Sequence, residues 1–155
     1  MQTRLTHMLG CRYPIIQTAM GWVADAKLVA ATTNAGGFGF LAGAVMTAQE
    51  VEQGIVEIKA LTDGPFGVNF HMYMAQAADI VDLCVKYHVR AVSYSRSPVP
   101  AMIEKLKAAG IVCIPTVGAT KHALKAVVLG ADAIVVQGSE GGGHTGAVAS
   151  TILLP

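Results

Sequence analysis

Residues 111–146, IVCIPTVGATKHALKAVVLGADAIVVQGSEGGGHTG, decide the fold. The stretch opens on an apolar run, Val112–Thr116, and passes through Thr120–Leu129, where apolar residues recur at helical steps. It then enters a second apolar run, Ala133–Gln137. Such runs lack polar alternation, which is how strands buried on both faces read. Gly130 follows the helical segment, where a left-handed C-cap residue is wanted. A loop rich in glycine, Gly138–Gly146, closes the stretch. Strand, helix, strand and glycine loop together make the unit from which parallel sheets are built.

The same unit repeats upstream. Apolar runs stand at Ile15–Gln17, Phe38–Leu41, Phe66–Asn69 and Ala91–Tyr94, with helical segments at Asp25–Ala35, Thr47–Leu61, Met74–Tyr87 and Pro98–Ala109 between them. Val51, Ile55, Ile58 and Leu61 make one apolar stripe, and Ile80, Leu83, Cys84 and Tyr87 make another. Thr47 followed by Glu50 is a capping-box pattern, Gly110 stands where a C-cap is wanted, and Pro98 sits where a helix can begin. Six strands and five helices are thus expected in an α/β chain. Successive strand ends lie about 21 to 28 residues apart, close to one unit of an eightfold β/α barrel, which takes roughly 250 residues. About six of eight such units would fit here, whereas an open doubly wound sheet would be complete at this length. The pattern alone does not choose between them.

Composition narrows the function. Of 155 residues, 53% are hydrophobic and 14% charged, the reverse of a disordered chain. A net charge of +1 leaves no excess for a phosphate backbone, so no nucleic-acid partner is expected. Cys11, Cys84 and Cys113 are odd in number and lack metal-ligand spacing, which points away from a disulfide framework or a zinc site and towards a reducing cytoplasm. The opening MQTRLTHMLG has no continuous apolar core of a signal peptide, and no run approaches the length of a membrane span.

Chemistry concentrates in the closing loop. A strand delivers the chain to the carboxyl edge of the sheet, where α/β enzymes place their sites. Gly141, Gly142 and Gly143 permit positive φ and close approach of backbone N–H groups to a ligand. His144 follows directly, and an imidazole there can act as a general base or acid near neutral pH. The plainer reading is a glycine turn carrying a solvated histidine. His71, Tyr73, Tyr94 and Ser95 fall at or just past the third and fourth strands, where they can line a pocket or serve as ordinary loop residues. Glu140 reads as a cap for backbone N–H groups.

Gln137–Gly146, of the form Gln-Gly-x-Glu-x-Gly-Gly-His-x-Gly, resembles the signature of the nitronate monooxygenase (2-nitropropane dioxygenase-like) family. Tyr13–Gly21 resembles that family's first strand and flavin loop, Asn34–Gly39 its second-strand entry, and Pro65–Asn69 its third strand. The resemblance implies an FMN-dependent (β/α)8 barrel of TIM type. It implies oxidation of an alkyl nitronate, or a nitroalkane, by O2 to a carbonyl compound and nitrite. Carried over, Ala19, Met20 and Gly21 would approach the flavin through backbone atoms, and Asn69 would hydrogen-bond it. Thr116, Gln137, Gly142 and Gly143 would complete the cofactor site, with His144 as the catalytic residue and His71 and Tyr94 towards substrate.

The family's phosphate-binding loops after strands seven and eight have no counterpart here, so residues 1–155 are expected to be the amino-terminal portion of one barrel domain. An FMN-dependent enoyl-acyl carrier protein reductase or NADH:quinone reductase shares the fold and the Gly-Gly-His loop and is the second enzymatic reading. A truncated, non-catalytic half-barrel surviving through association is the third. The expected partners are a small nitronate or nitroalkane and O2, with homo-oligomerisation allowed and no membrane contact.

Overall fold

The computed structural model describes residues 2–95, 98–143 and 145–154. Six parallel strands run in chain order: β1 (Ile16–Gln17), β2 (Phe38–Ala42), β3 (Gly67–His71), β4 (Ala91–Ser95), β5 (Val112–Val117) and β6 (Val135–Val136). Helices α2 (Ala26–Asn34), α3 (Ala48–Leu61), α4 (Ala77–Lys86), α5 (Pro100–Ala108) and α6 (Thr120–Val128) connect them. Each strand pairs with its chain neighbour and no order is skipped, which is the winding of a β/α barrel rather than a doubly wound sheet. The sequence pattern left that choice open; strand order resolves it.

Strand parity divides the core in two. Leu41, Val68, Phe70, Met72, Val92, Tyr94 and Cys113 point outward into a large cluster with Val51, Ile55, Ile58, Ile80, Ile103 and Leu106 of the helices. Phe38, Phe40, Ala91, Val112 and Ile114 point the other way and form a second cluster inside the curve of the sheet. Short α1 (Arg4–Leu9) closes the amino-terminal end of that interior, with Leu9 fully buried and Leu5 and Met8 packed beside it. The Arg90 guanidinium donates to the Met8 carbonyl and holds this plug in place.

Local signals act as the residue types dictate. The Thr47 hydroxyl accepts from the Glu50 amide at 3.2 Å while the Glu50 carboxylate accepts from the Thr47 amide at 2.7 Å. Gly110 and Gly130 adopt φ of 72° and 86°, the left-handed region where a side chain would be strained. Two expectations need adjustment. The helix after β4 begins at Pro100, not Pro98, placing the proline ring at the first helical position. β6 is two residues long rather than five, and among the described residues it pairs with β5 alone. Helix α1 was not anticipated; it and α7 (Ser150–Leu153) are short and lie outside the repeating unit. No described helix is long and apolar enough to cross a membrane.

Candidate active site

The lower interior is apolar and crowded. Gly67 is required there: an added Cβ would lie 2.3 Å from a ring carbon of Phe40 and 2.8 Å from the Ala91 carbonyl. Two residues further along each strand, the same face turns polar. Ala42, Asn69 and Ser93 are register partners, and the Asn69 carboxamide donates to the Ser93 carbonyl at 3.2 Å and to its hydroxyl at 3.4 Å. One step nearer the carboxyl ends, His71, Ser95, Thr116 and Val135 fall in register. There Ser95 Oγ lies 3.0 Å from His71 Nδ1, and the Tyr73 ring stacks on the imidazole with centroids 5.2 Å apart and planes 9° from parallel. Inward-facing polar groups thus gather at the carboxyl end of the strands, the end where barrel enzymes place chemistry.

The loop leaving β1 is held by its own backbone. The amides of Val23 and Ala24 both donate to the Met20 carbonyl, and Ala42 donates to Ala24, tying the loop to β2. Ala19 packs against the inner cluster, whereas Met20 and Gly21 are exposed. Trp22 stands 86% exposed with φ of 61°, a left-handed conformation that bulky residues seldom adopt.

Beyond β6 the Gln137 amide donates to the Val117 carbonyl at 3.0 Å, and its side chain donates to the Gly142 carbonyl at 2.8 Å. Gln137 therefore braces the glycine loop from within. A Cβ added at Gly142 or Gly143 would meet none of the described residues within 4 Å, and Gly143 has φ of 73°, so on their side this backbone is open to a ligand. The Glu140 carboxylate accepts from the Ser150 amide at 3.0 Å and from its hydroxyl, capping α7. Those bonds, the Ser150 hydroxyl first, hold its pKa below the usual range. His144 lies outside the described residues.

Of the residues expected to face substrate, His71 lies on the inner polar face and Tyr94 does not. Tyr94 is one step out of phase with Ser93 and Ser95, so its ring enters the helix-facing core and is 2% exposed. Its hydroxyl has no hydrogen-bond partner among the described residues, and burial pushes its pKa up. Ser93 escaped the sequence reading. The signal was available, since Ala91-Val-Ser-Tyr-Ser95 alternates small with large side chains, and the small ones fit the crowded interior.

The donor set suits a flat heteroaromatic group. The Asn69 carboxamide and the Ser93 and Thr116 hydroxyls each can donate and accept, as a ring carrying both carbonyls and an N–H requires. Exposed backbone at Gly142 and Gly143 lets such a ring approach without a side chain in the way. The residues present fit a flavin.

Fold and site together define a six-stranded part of a TIM-type β/α barrel with its polar mouth at the carboxyl ends of the strands. The nitronate monooxygenase family model matches residues 2–86 and 80–154, and the chain belongs to that family. At 52% identity over all 155 residues it is similar to a protein of Rhodococcus jostii and one of Mycobacterium tuberculosis. Both are named (3aS,4S,5R,7aS)-5-hydroxy-7a-methyl-1-oxo-octahydro-1H-indene-4-carboxyl-CoA dehydrogenase, and 44% of each is covered. A probable nitronate monooxygenase of Staphylococcus saprophyticus is 32% identical, with 97% of this chain and 53% of that protein covered. Among solved structures, FabK of Thermotoga maritima superposes with a TM-score of 0.94 at 33% identity, covering 99% of this chain and 49% of that one. A nitroalkane oxidase of Streptomyces ansochromogenes gives 0.82 at 29% identity, covering 93% and 51%. The chain spans about half the length of the curated relatives it matches.

Proposed function

We propose that this chain is the amino-terminal part of a flavin-dependent oxidoreductase, with FMN as the flavin, that dehydrogenates a coenzyme A thioester of a cyclic carboxylic acid. Identity of 52% across every residue to two proteins named for such a substrate carries the reading. When bound, the flavin accepts the electron pair of the oxidation. Ala19, Met20 and Gly21 would border it through backbone atoms, and Asn69 and Thr116 would hydrogen-bond its edge. Gln137, by fixing the loop, would keep Gly142 and Gly143 against it. His144 would take the proton from the carbon beside the thioester carbonyl, work suited to a neutral imidazole near pH 7.

A second reading, nitronate oxidation by O2, is favoured by the family model and by the relative at 32% identity. The residues would serve it in the same way. His144 would act as a base only on neutral nitroalkanes, because a nitronate has already lost that proton. Anaerobic mixing of the full-length protein with cyclohexanecarboxyl-CoA separates the two. Loss of flavin absorbance is expected, slowed about a hundredfold in His144→Asn, the scale of a general base. No response to the thioester, with oxygen uptake on adding propyl-2-nitronate, would put the second reading first.

A further inference from the structure

We propose that His71 and Ser95 form a hydroxyl-recognising subsite, which selects thioesters carrying a hydroxyl on the carbon next to the acyl-bearing one. The proposal rests on the thioester reading above and adds a specificity determinant to it. His71 ends β3 and Ser95 ends β4, and the two are register partners. Their outward neighbours Phe70, Met72 and Tyr94 fill the helix-facing core, so both side chains belong to the inner face. They stand one step nearer the mouth than Asn69 and Ser93, on the side from which a substrate enters.

The pair is built rather than incidental. Ser95 Oγ and His71 Nδ1 are 3.0 Å apart, and the stacked Tyr73 ring fixes the plane of the imidazole. Imidazole and hydroxyl each donate and accept, whichever tautomer is present. A substrate hydroxyl also donates and accepts, so it can be matched on both counts. A thioester carbonyl or a nitronate oxygen only accepts and gains less from the pair. The relatives at 52% identity are named for a thioester whose ring hydroxyl lies beside the acyl-bearing carbon, the arrangement such a subsite would read.

The test titrates the full-length flavoprotein with cyclohexanecarboxyl-CoA bearing or lacking a hydroxyl on the neighbouring ring carbon. Flavin absorbance and isothermal calorimetry are followed together. The wild type is expected to bind the hydroxylated ester about tenfold more tightly, the scale of one hydrogen bond to a polar site. His71→Gln and Ser95→Ala should each bring that ratio close to one, the double variant should lose no more, and Ser95→Thr should restore it. A ratio that survives in both single variants, or losses that multiply in the double variant, would overturn the subsite. Equal binding of the two esters by the wild type would overturn it too while leaving the thioester reading intact. Binding of neither ester would remove the reading and the subsite together.

Discussion

Gly67 shows how one hydrogen atom in place of a methyl group sets the shape of the interior. Phe40 leans across β3 to fill the space under the polar mouth, and it can do so only because position 67 carries no side chain. Gly67→Ala would drive a Cβ into the ring and against the Ala91 carbonyl, so neither neighbour can simply move aside. Overpacking of this kind costs about 3 kcal/mol, and the penalty should appear as a lower urea midpoint at unchanged slope. Adding Phe40→Leu should recover part of the loss, because the ring contact is relieved and the carbonyl contact is not. Full recovery, or no loss from Gly67→Ala alone, would show that the ring is not what excludes the methyl group. At this scale parity governs function as well as packing. His71 and Tyr94 read alike in sequence, as polar residues near strand ends, yet one faces the mouth and the other the helices. The alternation that separates them was masked because the lower interior is as apolar as the outer face, so β3 and β4 looked apolar on both sides. Only their last turns of pleat, Asn69 with His71 and Ser93 with Ser95, betray the inner face.

Helix α3 illustrates how an element is fixed from its ends and one flank. Its amino terminus is closed by the reciprocal Thr47 and Glu50 bonds. Its flank is joined to α4 by Glu52, which accepts from Lys86 Nζ and from the Tyr87 hydroxyl, each at 2.7 Å. Thr47→Ala should cost about 1 kcal/mol at neutral pH, the usual loss of an N-cap side chain. The carboxyl of Glu50 is held below its ordinary 4.5 first by the Thr47 amide and then by the Thr47 hydroxyl. Glu52 is held below the same value first by Lys86 and then by Tyr87. A carboxyl depressed in the folded state contributes stability that is complete above its unfolded value and fades as pH falls through the folded one. The penalty of Thr47→Ala should therefore shrink as the medium is acidified below pH 4.5, because the wild type is then losing part of the same contribution. Parallel urea melts of both proteins from neutral pH downward measure this, and a penalty independent of pH would place the whole effect in the hydroxyl-to-amide bond. Helices such as this were legible because apolar period and capping chemistry agree over four turns. α1 was not, since six residues give too short a stripe, and its role as a plug depends on a barrel floor that forms only from distant strands.

At the scale of the whole molecule, the two ends of the sheet differ from its middle. Among the described residues, strands β2 to β5 are paired on both sides, whereas β1 and β6 are two residues long and paired on one. Apolar side chains stand exposed beside both edges. Ile15 is 65% exposed next to β1, and on α6 Leu124 is 65% and Val128 85% exposed. An unpaired parallel edge offers a row of free N–H and C=O groups to any other chain, and apolar neighbours add a driving force for contact. Residues 1–155 expressed alone should therefore self-associate, with sedimentation coefficients that rise with concentration. Replacing Leu124 and Val128 by lysine places charge on the α6 flank without touching the buried face that Ala126 contributes. That double variant should sediment more slowly at equal concentration, while Ile15→Lys should do the same through the opposite edge. Flavin should bind this segment weakly, since its polar mouth closes over only part of a ring. A segment that runs as a monomer at every concentration and purifies with stoichiometric flavin would show that these edges are satisfied within the segment itself. The exposed apolar residues of α6 would then need another explanation, because a solvated helix face of two valines and a leucine has no stability of its own to offer.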